Sequence, residues 1–461
     1  MPVFMGGTGN GGVPRTTGAN HHNFRTNTCP KTFPEATGQR PVISIGTDPP
    51  LLPTKMNHTS AAAPLASTSE VASLSGKLLF VLALCAGASV ANLYYAQPLL
   101  AVIASDFNAP NHAGWIAVAT QVGYTLGIVF VLPLGDLVDR RKLTLCVVGL
   151  LSLALIGCMA APSLNLLVAA SILVGFGAVT TQVMVPLAAD LAAADQRARA
   201  VGVVFSGILA GILLARTVSG VVGQWLGWRA MFGVAAVLAV GLGVLIAVFV
   251  PRLERKTSQR YSALLASMWQ LFMRHKPLRV ACAIQACVFA VFSAFWSVLA
   301  LHLARPPFEL GAAAAGAFGL VGLVGVVAAN MGGRVIDRVG QRRSLLVGLA
   351  CCVLAFVVLG LDGSMRGLVV GVILLDFGLS VANVANQSMV MGLEPEARSR
   401  INTVFVTSIF LGGALGSAAA SAAWAHVGWP DVCVLGLAVA ILALGIHIVA
   451  KPDWGPAAPA R

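Results

Sequence analysis

From Lys77 onward the chain is a succession of twelve apolar runs, each near the ~20 residues an α-helix needs to cross the hydrocarbon of a bilayer. They fall at 78–104, 113–134, 143–162, 165–189, 200–223 and 229–250, and, after a basic stretch, at 278–303, 312–332, 344–361, 367–392, 401–425 and 430–450. No water reaches unpaired backbone groups inside a bilayer, so segments of this length must span as helices. Composition agrees. Only 10% of the residues are charged, 57% are hydrophobic and mean hydropathy is +0.84, whereas a soluble surface takes roughly 25% charged residues. The 49 glycines suit helices that must approach closely in lipid, where burying Leu against Leu gains nothing over Leu against an acyl chain. The expected fold is an all-α membrane protein of twelve transmembrane helices.

The distribution of charge sets the topology. A net charge of +13 could serve nucleic acid, but most of the Lys and Arg fall in every second connection. These are Arg140–Lys142, Arg197 with Arg199, Arg252–Arg279, Arg334–Arg343, and Arg398 with Arg400. That alternation follows the positive-inside rule for cytoplasmic loops, and a DNA-binding face would not skip alternate loops. The reading is a multi-pass protein of a bacterial cytoplasmic membrane with both termini inside and no nucleic-acid partner. Residues 1–76, rich in Gly, Pro, Thr, Asn and His, read as a disordered tail. Residues 77–251 form a first six-helix bundle, 252–277 a cytoplasmic linker, 278–450 a second bundle and 451–461 a short tail. The nine cysteines show neither CxxC nor metal-ligand spacing, so no metal or other cofactor is expected.

The two bundles read as copies. Arg197-Ala-Arg199 introduces the fifth run and Gly227-Trp228 follows it; Arg398-Ser-Arg400 introduces the eleventh and Gly428-Trp429 follows it, at one constant offset that also superposes Gly211 on Gly412. Asp139-Arg140 after the second run matches Asp337-Arg338 after the eighth, and Gln182 with Met184 in the fourth matches Gln387 with Met389 in the tenth. Landmarks kept in order at nearly constant spacing indicate a parallel repeat.

The connection after the eighth run carries the most specific motif. It reads Gly333-Arg-Val-Ile-Asp337-Arg338-Val-Gly340-Gln-Arg342-Arg343, and its first-half copy reads Gly135-Asp136-Leu-Val-Asp139-Arg140-Arg141-Lys142 without the second glycine. The pattern G-x-x-x-D-R-x-G-x-R resembles the signature of the major facilitator superfamily, whose members are 6+6-helix secondary transporters. Asn92-Leu-Tyr-Tyr-Ala-Gln-Pro98 and Leu214-Ala-Arg216-Thr resemble its bacterial arabinose-efflux or drug-efflux branch. Independently of the resemblance, Asp139 and Asp337 can cap a helix N-terminus, and the arginines can anchor the loop on an anionic leaflet at roughly 1 kcal/mol each. The resemblance implies a conformational latch at Gly135, Asp136, Asp139, Arg140, Arg141, Gly333, Asp337 and Arg338, with Asp190 as a partner of Arg140 or Arg141. The alternative is that these arginines only set topology. The antiporter pattern of the fifth helix survives in spacing as Gly202, Gly211 and Ser219-Gly220, with Arg216 where proline is expected. In the fourth helix Ser171 stands where the proton-relay arginine of the family precedes a glycine.

Two charges lie deep inside the apolar runs, away from their ends, Arg216 in the fifth and Asp376 in the tenth. A charge at such depth costs several kcal/mol unless it is paired or wetted. Asp376 is read as a substrate or coupling-ion site, with a structural tie as the alternative. Arg216 is read as structural, because the fifth helix usually stands behind the cavity in this fold. The resemblance makes the first, fourth, seventh and tenth helices cavity-lining, which nominates Asn92, Tyr95, Gln97, Gln182, Gln285, Trp296, Asn383 and Gln387 as substrate candidates beside Asp376. Any of these polar groups could instead be an interhelical tie worth ~0.6 kcal/mol.

No G-x-x-x-x-G-K-[ST] loop for ATP phosphates is present. The runs hold no H-E-x-x-H and no carboxylate cluster that a membrane enzyme would use. The expected function is a monomeric secondary transporter in lipid, not an enzyme, exporting a small organic molecule with the proton as candidate coupling ion. Import or uniport of a metabolite is the alternative.

Overall fold

The computed structural model describes residues 75–135, 137–193, 195–252, 260–322 and 340–450, and within them the chain is helical without strands. The first span is broken into α1 (Gly76–Ala91), a 3₁₀ turn (Gln97–Leu99) and α2 (Leu100–Asp106). Pro98 lies inside that turn, where the missing N–H and ring prevent an uninterrupted helix. The remaining first-half spans are α3 (Trp115–Leu134), α4 (Arg140–Met159), α5 (Leu164–Ala178) continuing into α6 (Thr180–Leu191), α7 (Arg197–Leu226) and α8 (Trp228–Phe249). An amphipathic helix, α9 (Tyr261–Arg274), precedes the second half. There follow α10 (Lys276–Leu303), α11 (Ala312–Val321), α12 (Gln341–Leu361), α13 (Met365–Gly392), α14 (Arg398–His426) and α15 (Trp429–Ala450).

Ten of the described helical segments are long and apolar enough to cross a membrane; α1 and α11 are the shorter apolar helices of the first and eighth spans. The protein is thus a twelve-span, all-α membrane protein built as two six-helix bundles. Its outward faces carry large apolar side chains such as Trp225, Val237, Val248, Leu361 and Val449, all exposed. Such a surface is stable against acyl chains and not against water.

The repeat is visible in the packing. In the first half α1 crosses α7 where Gly87 meets Gly207 and Gly211; in the second, α10 crosses α14 where Ala286 and Ala290 meet Gly412 and Gly416. Both seams leave no room for a Cβ, so the backbones touch. The chain reverses after α7 at Gly227 (φ 83°) and after α14 at Gly428 (φ 101°). Both are left-handed positions that an L side chain would strain. A tryptophan follows each, and each indole N–H is satisfied: Trp228 donates to Asp106 (3.0 Å) and Trp429 to the Leu359 carbonyl (3.1 Å).

The halves meet along two lines, α3 against α14 and α7 against α11. On the first, Gln121 donates to Ser417 (2.9 Å) and accepts from Ser293 (3.3 Å), and one layer deeper Tyr124 packs edge-on against Phe410 at 4.4 Å. On the second, a Cβ added to Gly220 would lie 2.5 Å from the Ala312 carbonyl oxygen, and Thr217 donates to the Gly316 carbonyl at 3.2 Å. These contacts close one end of the molecule. The basic connections lie at the other.

Candidate functional site: a cavity between the two halves

Beneath the seal lies a cavity of about 1170 Å³. Its wall runs from Arg216 and Asp376 to Val201, Gly392, Arg398 and Ser399 at the helix ends that carry the basic residues, so the cavity opens at that basic end. Phe289, Phe292 and Phe410 supply aromatic faces, while Gln182, Asn383, Gln387 and Asn402 supply amides. A largely apolar cleft with a few convergent polar groups is the usual form of a small-molecule site.

Five of the sequence candidates reach this wall: Gln182, Gln285, Asp376, Asn383 and Gln387. Gln182 is held by Tyr124, whose hydroxyl accepts from its Nε2 at 3.1 Å, and Gln285 accepts from Asn386 at 3.0 Å. The other four do not line it. Asn92 turns back on its own helix, donating to the carbonyls of Ala88 (2.9 Å) and Ser89 (3.2 Å). Tyr95 offers its backbone carbonyl to the Ser219 hydroxyl. Gln97 and Trp296 stand behind Arg216 as its supports. Polarity on the helices that the resemblance makes cavity-lining nominated all eight amide and aromatic positions, and helix rotation separates them.

Arg216 is the correction of largest consequence. The expectation that the fifth span stands behind the cavity is overturned, because Arg216 forms part of its floor. Its guanidinium carbon lies 3.8 Å from the Trp296 ring centroid, 4.6 Å from Tyr94 and 5.6 Å from Phe292, and its Nε donates to Gln97 Oε1 at 2.9 Å. A desolvated cation–π contact is worth about 2 kcal/mol or more, and a hydrogen bond to a charged group ~1.5–3. Together they offset a large part of the cost of burying the cation, effectively several kcal/mol. Nη2 is nonetheless buried without a partner.

Across the floor Asp376 is only 6% exposed, and its Oδ1 also has no hydrogen-bond partner. No ion pair within 4.0 Å joins it to Arg216 among the described residues. Both residues rest against α11 or its C-terminal cap. A Cβ on Gly319 would lie 2.9 Å from Arg216 Cβ, and one on Gly322 would lie 2.8 Å from Asp376 Oδ2. Sequence reasoning passed over these two glycines, which read as generic small residues of a membrane helix. It also left Tyr94, Phe289, Phe292 and Phe410 out of the site candidates.

At the basic end Asp139 is the N-cap of α4, accepting from the amides of Arg141 (2.8 Å) and Lys142 (3.4 Å). Arg140 pairs with Asp190 at 2.6 Å and donates to the Gly135 carbonyl at 3.1 Å; Arg141 reaches the Ala247 carbonyl on α8. These bonds gather the ends of α3, α4, α6 and α8 around one loop. Asp136, Gly333, Asp337 and Arg338 lie outside the described residues. At the sealed end Arg229 bonds Asp106 at 2.6 Å, and this bond, aided by Trp228, holds the Asp106 carboxyl below the usual carboxylate range.

Comparison with known proteins agrees with this architecture. The family model of the Major Facilitator Superfamily matches residues 79–416 and 331–459. The chain is 36% identical to the uncharacterized transporter YgaY of Escherichia coli O157:H7 over 373 residues, covering 80% of this chain and 95% of that one. It is 34% identical to a Streptomyces coelicolor protein named as transporter SCO4007, covering 78% and 85%. Among solved structures it is similar to a bacterial homolog of the human lysosomal transporter Spinster in its inward-facing, unoccupied conformation. That match has a TM-score of 0.66 and 17% identity, and covers 83% of this chain and 98% of the other. It is also similar to a mutant of the nucleoside transporter NupG, with a TM-score of 0.66 and 13% identity, covering 81% and 98%. None of these names carries the arabinose-efflux label. Motif, repeat, family match and fold agree: the chain belongs to the Major Facilitator Superfamily and is a multi-pass membrane transporter rather than an enzyme.

Proposed function

We propose that this protein is a proton-coupled secondary transporter that exports a small organic solute by alternating access across a bacterial cytoplasmic membrane, acting as a monomer. The observation that carries the reading is the cavity between two pseudo-equivalent bundles, open at one end and sealed at the other. Two bundles rocking about a shared site would expose it alternately. Asp376, the one carboxylate in the described wall, is the candidate proton carrier. In a host lacking its own exporters, expression should lower the steady-state level of a transported solute in the cell, and an uncoupler should restore it. Raised accumulation would make the protein an importer, and indifference to the uncoupler would remove the proton.

The orientation follows from the basic end being cytoplasmic. Cysteine placed at Gly363, between α12 and α13, should react with an impermeant thiol reagent from outside, and cysteine at Gly340 should not. Reversed labelling would invert the topology.

The loop around Asp139 is the proposed latch. Asparagine caps a helix about as well as aspartate, so Asp139→Asn keeps the α4 cap and removes only the charge. Transport should fall about fivefold with insertion intact, the effect of a shift near 1 kcal/mol in the balance of states. Asp139→Ala should in addition lower stability by ~1 kcal/mol. Wild-type flux in Asp139→Asn would return the loop to a topology anchor.

A further inference from the structure

The floor of the cavity holds two opposite charges that the protein leaves incompletely satisfied. Arg216 comes from the first half and Asp376 from the second; each is more than nine-tenths buried, and each has a polar atom without a partner. They attract one another, but no ion pair within 4.0 Å joins them. The stem of Arg216 packs on Gly319 of α11 and Oδ2 of Asp376 on Gly322 at the C-terminal cap of that helix, so the two residues converge on one end of α11. Arg398 at the mouth is the only other charged residue in the described wall, and its Nε is already donated to the Met391 carbonyl at 3.0 Å.

This arrangement discriminates by charge pattern. A solute bearing only a carboxylate would satisfy Arg216 and bring a second anion beside Asp376. A solute bearing only an ammonium would satisfy Asp376 and face the guanidinium. In a site of low dielectric either mismatch leaves a charge desolvated beside its like or without its opposite, which disfavours binding. A solute with both groups a few ångströms apart neutralises the floor at both points and leaves no buried charge over. The remainder of such a solute would lie against Phe289, Phe292 and Phe410, which line the cavity beyond the charged pair. An apolar or aromatic group fits against those rings.

We propose that the transported solute is an amphipathic zwitterion, a molecule with one ammonium, one carboxylate and an apolar or aromatic group, the pattern of an apolar α-amino acid or a small peptide made from them. Arg216 receives the carboxylate and Asp376 the ammonium. This inference rests on the transport reading above and assigns the class of solute that it leaves open.

The test is equilibrium binding to the purified full-length protein in detergent, with phenylalanine, 3-phenylpropanoate and 2-phenylethylamine as probes that share one ring and differ only in charge. Wild-type protein should bind phenylalanine at least tenfold more tightly than either analogue. Asp376→Asn should turn the preference to 3-phenylpropanoate, and Arg216→Gln to 2-phenylethylamine. Arg216→Lys and Asp376→Glu, which keep each sign and guard against a variant that does not fold, should retain the preference for phenylalanine. An analogue of single charge that binds the wild type as well as phenylalanine does, no binding of phenylalanine at all, or folded charge-removal variants with unswitched preference would each overturn the assignment. Flux of some other solute by a protein that ignores phenylalanine would sink this inference and leave the transport reading standing. Phenylalanine binding without flux of any solute would sink the transport reading instead.

Discussion

Asp376→Asn is expected to lower transport by two orders of magnitude or more while the protein reaches the membrane at the wild-type level. The carboxylate has a buried oxygen with no hydrogen-bond partner and no ion pair within 4.0 Å, so its charge is held only by a longer-range attraction to Arg216, and asparagine fits the same space. Losing that attraction should cost the fold little, because the same substitution removes the cost of burying the charge. If the group carries the proton or the solute, the loss appears in flux, and the pH dependence of whatever flux remains should flatten. Arg216→Gln behaves differently, because the guanidinium is bonded to Gln97 and stacked on Trp296. Loss of those contacts should cost about 2–4 kcal/mol. For the same reason the double variant Arg216→Gln/Asp376→Asn should be no more stable than Arg216→Gln alone. A double variant clearly more stable than either single one would mean that the two charges hold each other, and would take Asp376 out of the transport pathway. Membrane abundance, melting temperature and flux, measured on the same four proteins, separate the outcomes.

Gly316→Leu is expected to invert the conformational balance. Gly316 lies on α11 where it crosses α7, 3.1 Å from Gly220 Cα by way of any Cβ built on it and closer still to the Arg216 carbonyl. Backbone cannot yield as a flexible side chain can, so an isobutyl group there must part the helices. Overpacking of this kind costs ~1–3 kcal/mol in a core that cannot escape it. In the proposed alternating-access cycle there is an escape, since the opposite state would separate these two helices. The strain falls on the sealed state alone, and a differential of 1.4–2.8 kcal/mol is a ten- to hundredfold change in population. Spin labels at Val201 and Ser399, across the cavity mouth, should show a wild-type distance distribution that shifts to shorter separations in the variant. An unchanged distribution with wild-type stability would mean that the α7–α11 seam does not move. Reduced abundance without a shift would mean that it is simply part of the core.

The spans, the repeat and the family were legible in the sequence because each depends on composition or on spacing along the chain. A pairing of Asp190 with Arg140 or Arg141 was legible too, since all three had to sit at the same end of the bundle; the structure pairs it with Arg140. The wall of the cavity was legible only in part. Asn383 and Gln387 share a helical face and reach it together, but Asn92 and Tyr95 are as polar and point elsewhere. In a membrane helix both faces are apolar, one against lipid and one against protein, so hydrophobic periodicity gives no bearing on rotation. Arg216 was misplaced for a related reason. A lone arginine in an apolar run shows its cost but not its neighbours, and Gln97, Tyr94 and Trp296, which receive it, lie on other spans far away in the chain.

Across the described seal the halves are joined by Gln121, Ser293, Ser417, Thr217 and close-packed glycines. None of these side chains ionises between pH 2 and 12, and neutral hydrogen bonds are not screened by salt as ion pairs are. In the proposed orientation this is the end that meets the surroundings of the cell, whose acidity and salinity the cell does not set. In that orientation these particular contacts would hold equally well in dilute, saline or acidic medium, leaving the response to external acidity to the ionisable groups beneath and beside them, Asp376 and the Arg229–Asp106 pair.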